Sequence, residues 1–313
     1  MKENRQMEKK EQEAIELLMI LCGNSGCVVS DSGGKDSSVI KHLAVKAHEK
    51  YNLQFSIQHN HTTVDAPETV YFIRDEKKKY EAAGIRYNIL YPKKSMWKLI
   101  VDHCAPPTRL MRYCCEELKE YSGNGEKLVT GVRKAESINR KNNQGIVTFP
   151  NPKRQLKQKA RTNEDFETTT KGGLIVMNLD NAETRSIVES CYRTQKTLIN
   201  PLIDWKDDFL WWYIKSENIQ LNPLYECGHS RIGCIGCPMA SKKRWGEFAK
   251  YPKYKEMYIM AFEKMLIERK RRGLETKLQW DTAQKVFKWW MEDDNCAGQL
   301  RMDERGNIYE EYS

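Results

Sequence analysis

Ser32-Gly33-Gly34-Lys35-Asp36-Ser37 places two glycines, a cation, a carboxylate and two hydroxyls in one short run. Paired glycines let a backbone approach phosphate oxygens closely, because no Cβ stands in the way. The amides of such a loop, and of a helix that follows it, can then face an anion. Lys35 supplies a point charge, Ser32 and Ser37 supply hydroxyl donors, and Ser30 opens the segment. Asp36 would repel phosphate unless a cation intervened, so it predicts Mg²⁺ coordination. The run is not a Walker A loop, which needs G-x-x-x-x-G-K-[ST]. The plainer alternative is a turn that only joins a strand to a helix; six specified positions in the right context weigh against it.

The chain carries ten cysteines. In a protein read as cytoplasmic, disulfides are a poor explanation, because the cytosol keeps thiols reduced. Cys22, Cys27 and Cys296 stand alone and read as buried or incidental. Cys114-Cys115, Cys191, Cys227 and Cys234-x-x-Cys237 fall closer together in type and spacing, which favours a metal. Cys234 and Cys237 put two thiolates on one tight turn, a common start to a zinc or iron–sulfur site. The pair Cys114 and Cys115 lies far upstream, so folding must unite the two. A set of Cys115 or Cys114 with Cys227, Cys234 and Cys237 stands beside the two full pairs. A zinc site of three cysteines and His229 stays open, as do free buried thiols, and Cys191 is a weaker candidate.

The elements that must position these groups alternate. Residues 5–22 read as an amphipathic helix, followed by a strand over 26–29, the loop, and a helix from Val39 to Ala47 in pattern. Strands are expected over 55–59, 85–90 and 127–132, with helices over 68–83 and 95–103. Such alternation implies crossover units and an α/β fold with a mostly parallel sheet flanked by helices. Residues 140–173 break the rhythm: they are polar, rich in Lys, Arg, Asn and Thr, and read as a structureless insertion, either lid or disordered. Pattern resumes over 174–179 and 207–217. Beyond 241 the chain reads as helices with many aromatics, Trp280, Trp289 and Trp290 hinting at extra hydrophobic contacts. The expected organisation is a helix over 1–23, a nucleotide-binding domain over 24–240, and a helical C-terminal extension over 241–313.

The chain is 313 residues long, 40% hydrophobic and 30% charged, with a net charge of +9. That length supports one full core with an appendage, or two small domains. The positive excess suits a nucleotide and equally a nucleic acid. No stretch approaches the roughly 20 apolar residues of a membrane-spanning helix, so no membrane partner is expected. Leu17-Leu18-Met19-Ile20-Leu21-Cys22 has a passing likeness to a lipoprotein signal. It is too short, carries Glu16, and has bulky Leu21 where cleavage wants a small residue.

The order Ser-Gly-Gly-x-Asp-Ser resembles the signature of the ATP-pyrophosphatase superfamily, whose fold is adenine nucleotide alpha-hydrolase-like. Other segments resemble the phosphoadenosine phosphosulfate (PAPS) reductase family in particular. Thr63-Val64-Asp65-Ala66-Pro67-Glu68-Thr69 is similar to that family's Asp-Thr-Gly…Pro-Glu-Thr segment, with Ala66 replacing a Thr and one residue lost. Thr130-Gly131-Val132-Arg133-x-x-Glu136-Ser137-x-x-Arg140 matches the Gly-x-Arg-x-x-Glu-Ser-x-x-Arg element. Asn200-Pro201-Leu202-Ile203-Asp204-Trp205 with Asp207-Asp208, and Asn222-Pro223-Leu224-Tyr225 running into Arg231-Ile232-Gly233-Cys234-Ile235-Gly236-Cys237-Pro238, are also family-like. The resemblance covers about 24–240. It implies that Asp65 and Glu68 lie beside the nucleotide and that Arg133 and Arg140 recognise phosphate or sulfate, as guanidinium forks do.

Adjacent cysteines followed by a distant Cys-x-x-Cys also resemble the four-iron (4Fe–4S) ligation of assimilatory adenylylsulfate reductases, with a longer gap here. Glu226-Cys227-Gly228-His229 is similar to the reductases' nucleophilic tail. It stands in the wrong place, ahead of Cys234, so a ligand or structural role is expected. The resemblance therefore implies ATP, Mg²⁺ and an iron–sulfur cluster, with zinc as the alternative.

Reductases typically carry a degraded loop, whereas this one is intact, and the C-terminal tail has no cysteine. The expectation is ATP cleavage to AMP and pyrophosphate, with Lys35, Asp36 and Arg133 catalytic, and sulfur transfer to the adenylated acceptor. Such enzymes include the sulfur-handling members of DNA phosphorothioation systems. A sulfur- or electron-donor protein is the implied partner, and nucleic acid is one acceptor class. Two alternatives stand beside it: a thiol-dependent adenylylsulfate or PAPS reductase relying on Cys227 or Cys296, and a non-catalytic nucleotide- or nucleic-acid-binding module. The module would use Lys153, Arg154, Lys157, Lys159 and Arg161 with the basic run at 269–272, and bind with steep salt dependence.

Overall fold

The computed structural model describes residues 2–123, 125–191, 195–274, 280–292, 299–302 and 308–311. Along the chain the elements begin α1 (Lys2–Cys22), β1 (Cys27–Ser30), α2 (Lys35–Tyr51), β2 (Phe55–Asn60), α3 (Pro67–Ala82), β3 (Tyr87–Leu90), α4 (Met96–Asp102) and α5 (Tyr113–Leu118). There follow β4 (Lys127–Val129), α6 (Ile138–Asn143), β5 (Val147–Phe149), α7 (Arg154–Ala160), β6 (Phe166–Thr168), β7 (Leu174–Val176), α8 (Ala182–Cys191), β8 (Thr197–Ile199) and α9 (Asp207–Ser216). The last are α10 (Lys243–Lys250), α11 (Pro252–Arg271), α12 (Ala283–Met291), β9 (Gln299–Met302) and β10 (Ile308–Glu311). The chain divides into two units, one of Met1–His59, Glu68–Leu90 and Ser122–Ile232, the other of Asn60–Pro67, Tyr91–Tyr121 and Gly233–Ser313.

The first unit is built on a sheet ordered β3-β2-β1-β4-β8-β5-β7-β6. β1 runs parallel to β2 and β4, and β4 parallel to β8. In register, Val29 sits beside Ile57 and Val129, and Val129 beside Ile199. All four are fully buried, as parallel strands covered on both faces require. Helix α1 buries Ala14, Ile15, Leu18, Leu21 and Cys22 and packs on α2. The short apolar run near the N-terminus is thus the inner stripe of an amphipathic helix. β1 has β2 on one side and β4 on the other, so the connections leave it in opposite directions. In open α/β sheets, the crevice at the carboxyl ends of strands around such a point receives the ligand.

The expected structureless insertion is a correction. Residues 140–173 supply β5, α7 and β6, and β5 pairs antiparallel with β8 and β7, with β6 at the far edge. Val147, Phe149, Leu156 and Phe166 are buried there. Three-residue strands are too short to show periodicity, which is why the sequence reads as a loop.

The second unit holds α4, α5, α10, α11, α12 and the antiparallel hairpin β9 and β10. The expected all-helical extension therefore ends in a hairpin. Its aromatics form a core: Trp290 packs against Tyr258 and Phe262 at centroid distances of 4.7 and 5.4 Å. Trp280 meets Trp289 at 4.8 Å. Among the described residues, no helix is long and apolar enough to cross a membrane. Cys296 and the chain's last two residues lie outside the described residues.

Candidate functional site

The loop after β1 is held from below by Asp31, a fully buried carboxylate. One of its oxygens accepts from the Gly33 amide at 2.8 Å and from the Ser37 hydroxyl at 2.9 Å. The other accepts from Lys41 at 2.5 Å and from the Tyr87 hydroxyl at 2.7 Å. Burial alone would raise the Asp31 carboxyl, but the Lys41 ammonium dominates and brings it down to about 2. Lys41 is itself pinned by Glu76 at 2.9 Å. Gly33 takes φ of +72°, a left-handed conformation that glycine alone adopts without strain. The loop is therefore shaped by residues outside the motif.

At its far end, α2 starts at Lys35. The Lys35 ammonium lies 2.9 Å from the Asp36 carboxylate and 3.8 Å from Asp207. Arg133 closes the group from the loop after β4: its Nε donates to Asp36 at 2.6 Å, and a terminal nitrogen donates to Asp207 at 2.6 Å. The other terminal nitrogen donates to the Trp205 carbonyl at 3.0 Å. Arg133 is fully buried, so its fork is committed to protein carboxylates instead of presenting itself to an oxyanion. Asp207 is held below its ordinary value chiefly by Arg133. The sequence points to Arg133 as a phosphate contact; in the structure its guanidinium pairs with Asp36 and Asp207.

The remaining predicted residues divide. Ser137 caps α6 by accepting from the Arg140 amide at 3.2 Å. Glu136 accepts from the Arg133 amide at 3.1 Å and pairs with the Arg140 side chain. Arg140 is lowered by burial first, with Glu136, Arg231 and Asp36 among the charges it feels. Arg231 thus joins the same charged group. Ser30 is the last residue of β1, opposite Gln58, and Glu68 sits in the first turn of α3. Asp65 belongs to the second unit, where its carboxylate accepts from the Thr62 amide and hydroxyl at 2.8 and 2.7 Å. Its backbone bridges Cys234, so it braces the cysteine turn.

That turn, with α5, gathers both cysteine pairs in the second unit. The Cys114 thiol is driven up first by its hydrogen bond with Cys115, then by burial, with Cys234 and Cys237 adding to the effect. Cys115 is lowered to about 5 by that same bond, and Arg112 donates to its sulfur at 3.2 Å. Burial raises Cys234. Lys119 is kept protonated first by Cys234, with Asp65, Cys237 and Cys115 acting in the same direction. The donor chemistry suits a thiophilic metal centre beside a counter-cation. Among the described residues, however, no group of three or more His, Cys, Asp or Glu stands arranged to hold a metal ion. Cys227 is exposed in the first unit, and Cys191 ends α8 there.

Residues 26–240 match the phosphoadenosine phosphosulfate reductase domain. The chain belongs to this family. An uncharacterised protein of Methanocaldococcus jannaschii is 27% identical over 277 residues, covering 85% of this chain and 54% of that protein. The chain therefore spans about half the length of that relative. A stretch of 42 residues is 40% identical to adenosine 5'-phosphosulfate reductase of Allochromatium vinosum, or 13% of this chain and 16% of the other. Among solved structures, PAPS reductase of Candida auris aligns with a TM-score of 0.41 at 16% identity, covering 71% of this chain and 87% of that one. The U34-tRNA thiolase of Methanococcus maripaludis, with its 4Fe-4S cluster, aligns at 0.43 and 12% identity, covering 84% and 80%.

Within this PAPS reductase domain, sequence reasoning missed Asp31, Lys41, Tyr87, Asp207 and Tyr225 as site residues. Asp207 and Tyr225 stood in the family-like segments; Asp31, Lys41 and Tyr87 carried no local signal. A groove of about 860 Å³ lies beside the start of α2, lined by Ser38 and by Tyr225, whose hydroxyl accepts from the Lys35 amide. Glu76, Glu217 and Glu226 line that groove together with His42 and Lys79.

Gly131 is the point where the two loops touch. A Cβ there would lie 2.7 Å from the Asp36 carbonyl carbon and oxygen. Gly131→Ala is therefore expected to push Asp36 off its position at a cost of about 1–3 kcal/mol. Calorimetric titration with Mg·ATP should show weakened binding; undiminished affinity would mean the contact yields freely.

Proposed function

We propose that this PAPS reductase-family protein is an ATP pyrophosphatase that adenylates an acceptor for sulfur transfer. An acceptor oxygen would attack the α-phosphorus, the bond to the β-phosphate oxygen would break, and pyrophosphate would leave. A reduced-sulfur nucleophile would then displace AMP from the activated acceptor. The observation that carries this reading is the intact loop at the carboxyl end of β1, with Lys35 and Asp36 at the start of α2 and Arg133 behind them. The loop amides would bind the phosphate chain, and Lys35 would exchange Asp36 for the leaving pyrophosphate. Mg²⁺ held by Asp36 would supply charge neutralisation on the phosphates. Arg133 and Asp207 would keep that carboxylate in place.

Cys114, Cys115, Cys234 and Cys237 would hold an iron–sulfur cluster, which would supply the place where sulfur is presented. Anaerobic purification with iron and sulfide analysis should find the cluster in the wild type and lose it in Cys234→Ser. Stoichiometric zinc without sulfide would replace the cluster with a structural metal.

The test of the whole reading is incubation with ATP and Mg²⁺ across acceptor classes, nucleic acid included, with quantification of AMP and pyrophosphate. Absence of both products with every acceptor would overturn it. The short stretch shared with adenosine 5'-phosphosulfate reductase favours one second reading, reduction of the sulfonucleotide. Sulfite released from adenylylsulfate with a thiol reductant, and no pyrophosphate from ATP, would select that one.

A further inference from the structure

The backbone amide of Lys35 opens α2, and helix-opening amides lack a partner within the helix and can be aimed at an anion. Here that amide is taken. It donates to the hydroxyl of Tyr225 at 2.8 Å, across 190 residues of sequence. A phenol oxygen that accepts one hydrogen bond still has a proton to give. Among the described residues, nothing accepts it.

The ring that carries this hydroxyl is fixed. Tyr225 ends the short 3₁₀ turn Pro223–Tyr225, whose cap Asn222 accepts from the Leu224 amide at 3.1 Å and donates to Thr69 at 3.0 Å. Trp211 meets the ring edge-on, with centroids 5.6 Å apart. Burial pushes the Tyr225 phenol up to about 12, so it stays neutral and keeps its proton beside an anion. The loop also leaves room for it. A Cβ added at Gly34 would come within 3.5 Å of the Tyr225 hydroxyl and 3.3 Å of the Ser32 hydroxyl. Gly34 has φ of −95°, and the 3.5 Å distance is an ordinary van der Waals contact, so the loop backbone lies directly beside the phenol.

We propose that Tyr225 is a phosphate-positioning residue: its hydroxyl accepts from the Lys35 amide and donates its own proton to an oxygen of the nucleotide's phosphate chain. The relay extends the reach of the helix amide by one hydroxyl group, and an accepting phenol is the stronger donor for it. The inference rests on the reading of the loop as a nucleotide phosphate site.

Calorimetric titration of the full chain with Mg·ATP and with adenosine tests it, in wild type and Tyr225→Phe. The phenylalanine keeps the ring against Trp211 and removes only the hydroxyl. Loss of a hydrogen bond to a charged group predicts a Kd for Mg·ATP about tenfold weaker, with adenosine affinity unchanged. Unchanged or tighter Mg·ATP binding would mean the hydroxyl merely plugs the amide, and the proposal falls. An equal loss for adenosine would make the residue structural and overturn it as well. A wild type that fails to bind Mg·ATP defeats the loop reading itself, a result distinct from these.

Discussion

Asp36→Asn is expected to slow pyrophosphate release by about a hundredfold to a thousandfold, the range seen when one preorganised electrostatic group is lost. It should also raise the Mg²⁺ concentration needed for half-maximal rate. The side chain is placed for this by two cations, Lys35 at 2.9 Å and Arg133 at 2.6 Å. Because it pairs with Arg133, a loss of rate alone could reflect only a disturbed ion pair. Asp207→Asn is the matched control, since Asp207 also meets Arg133 at 2.6 Å. Only the Asp36 change should move the Mg²⁺ dependence. Equal Mg²⁺ curves for the two variants would reduce Asp36 to a structural counter-ion.

Asp31→Asn should be the most damaging change to the fold of the loop. The carboxylate and Lys41 are both fully buried, and removing one partner of such a pair costs about 3–5 kcal/mol. Glu76 still holds Lys41 at 2.9 Å, which places the expected loss near the lower end, about 3 kcal/mol. Chemical denaturation of both proteins at neutral pH measures it. A loss below about 0.5 kcal/mol, the scale of an ordinary surface substitution, would show that the pair is not what shapes the loop. The acid limb gives a second measurement. The folded-state value of about 2 lies below the ordinary 3.8. The stability Asp31 contributes is therefore fully present above pH 4 and lost as pH falls toward 2, about 2 kcal/mol in all. Asp31→Asn should lack that component of the wild type's acid sensitivity.

The contrast between Asp31 and Asp36 shows what a linear pattern can carry. Asp36 lies inside a run whose residue types and order are themselves a backbone instruction: glycines where the chain turns, a cation and hydroxyls of the kind that can meet an anion. The strand before it and the helix after it follow from apolar periodicity. So the α/β alternation, the loop and the doubled cysteine pairs were legible in the sequence. Asp31 stands one residue ahead of the same run, yet nothing local marks it, because its partners come from two separate elements, Ser37 and Lys41 from α2 and Tyr87 from β3.

Tertiary structure alone decided the rest, and the reason is sequence separation. Arg133 reaches Asp36 across 97 residues and Lys35 meets Tyr225 across 190. Periodicity reports which face of an element is apolar, but not which distant polar group will face it. The orientation of Arg133 was therefore open until burial closed its fork on two carboxylates. The polar stretch over 140–173 was open for a related reason: its strands are so short that only pairing with β8 and β7 makes them strands. Local chemistry marks the glycine-rich loop; long-range packing determines which side chains hold it.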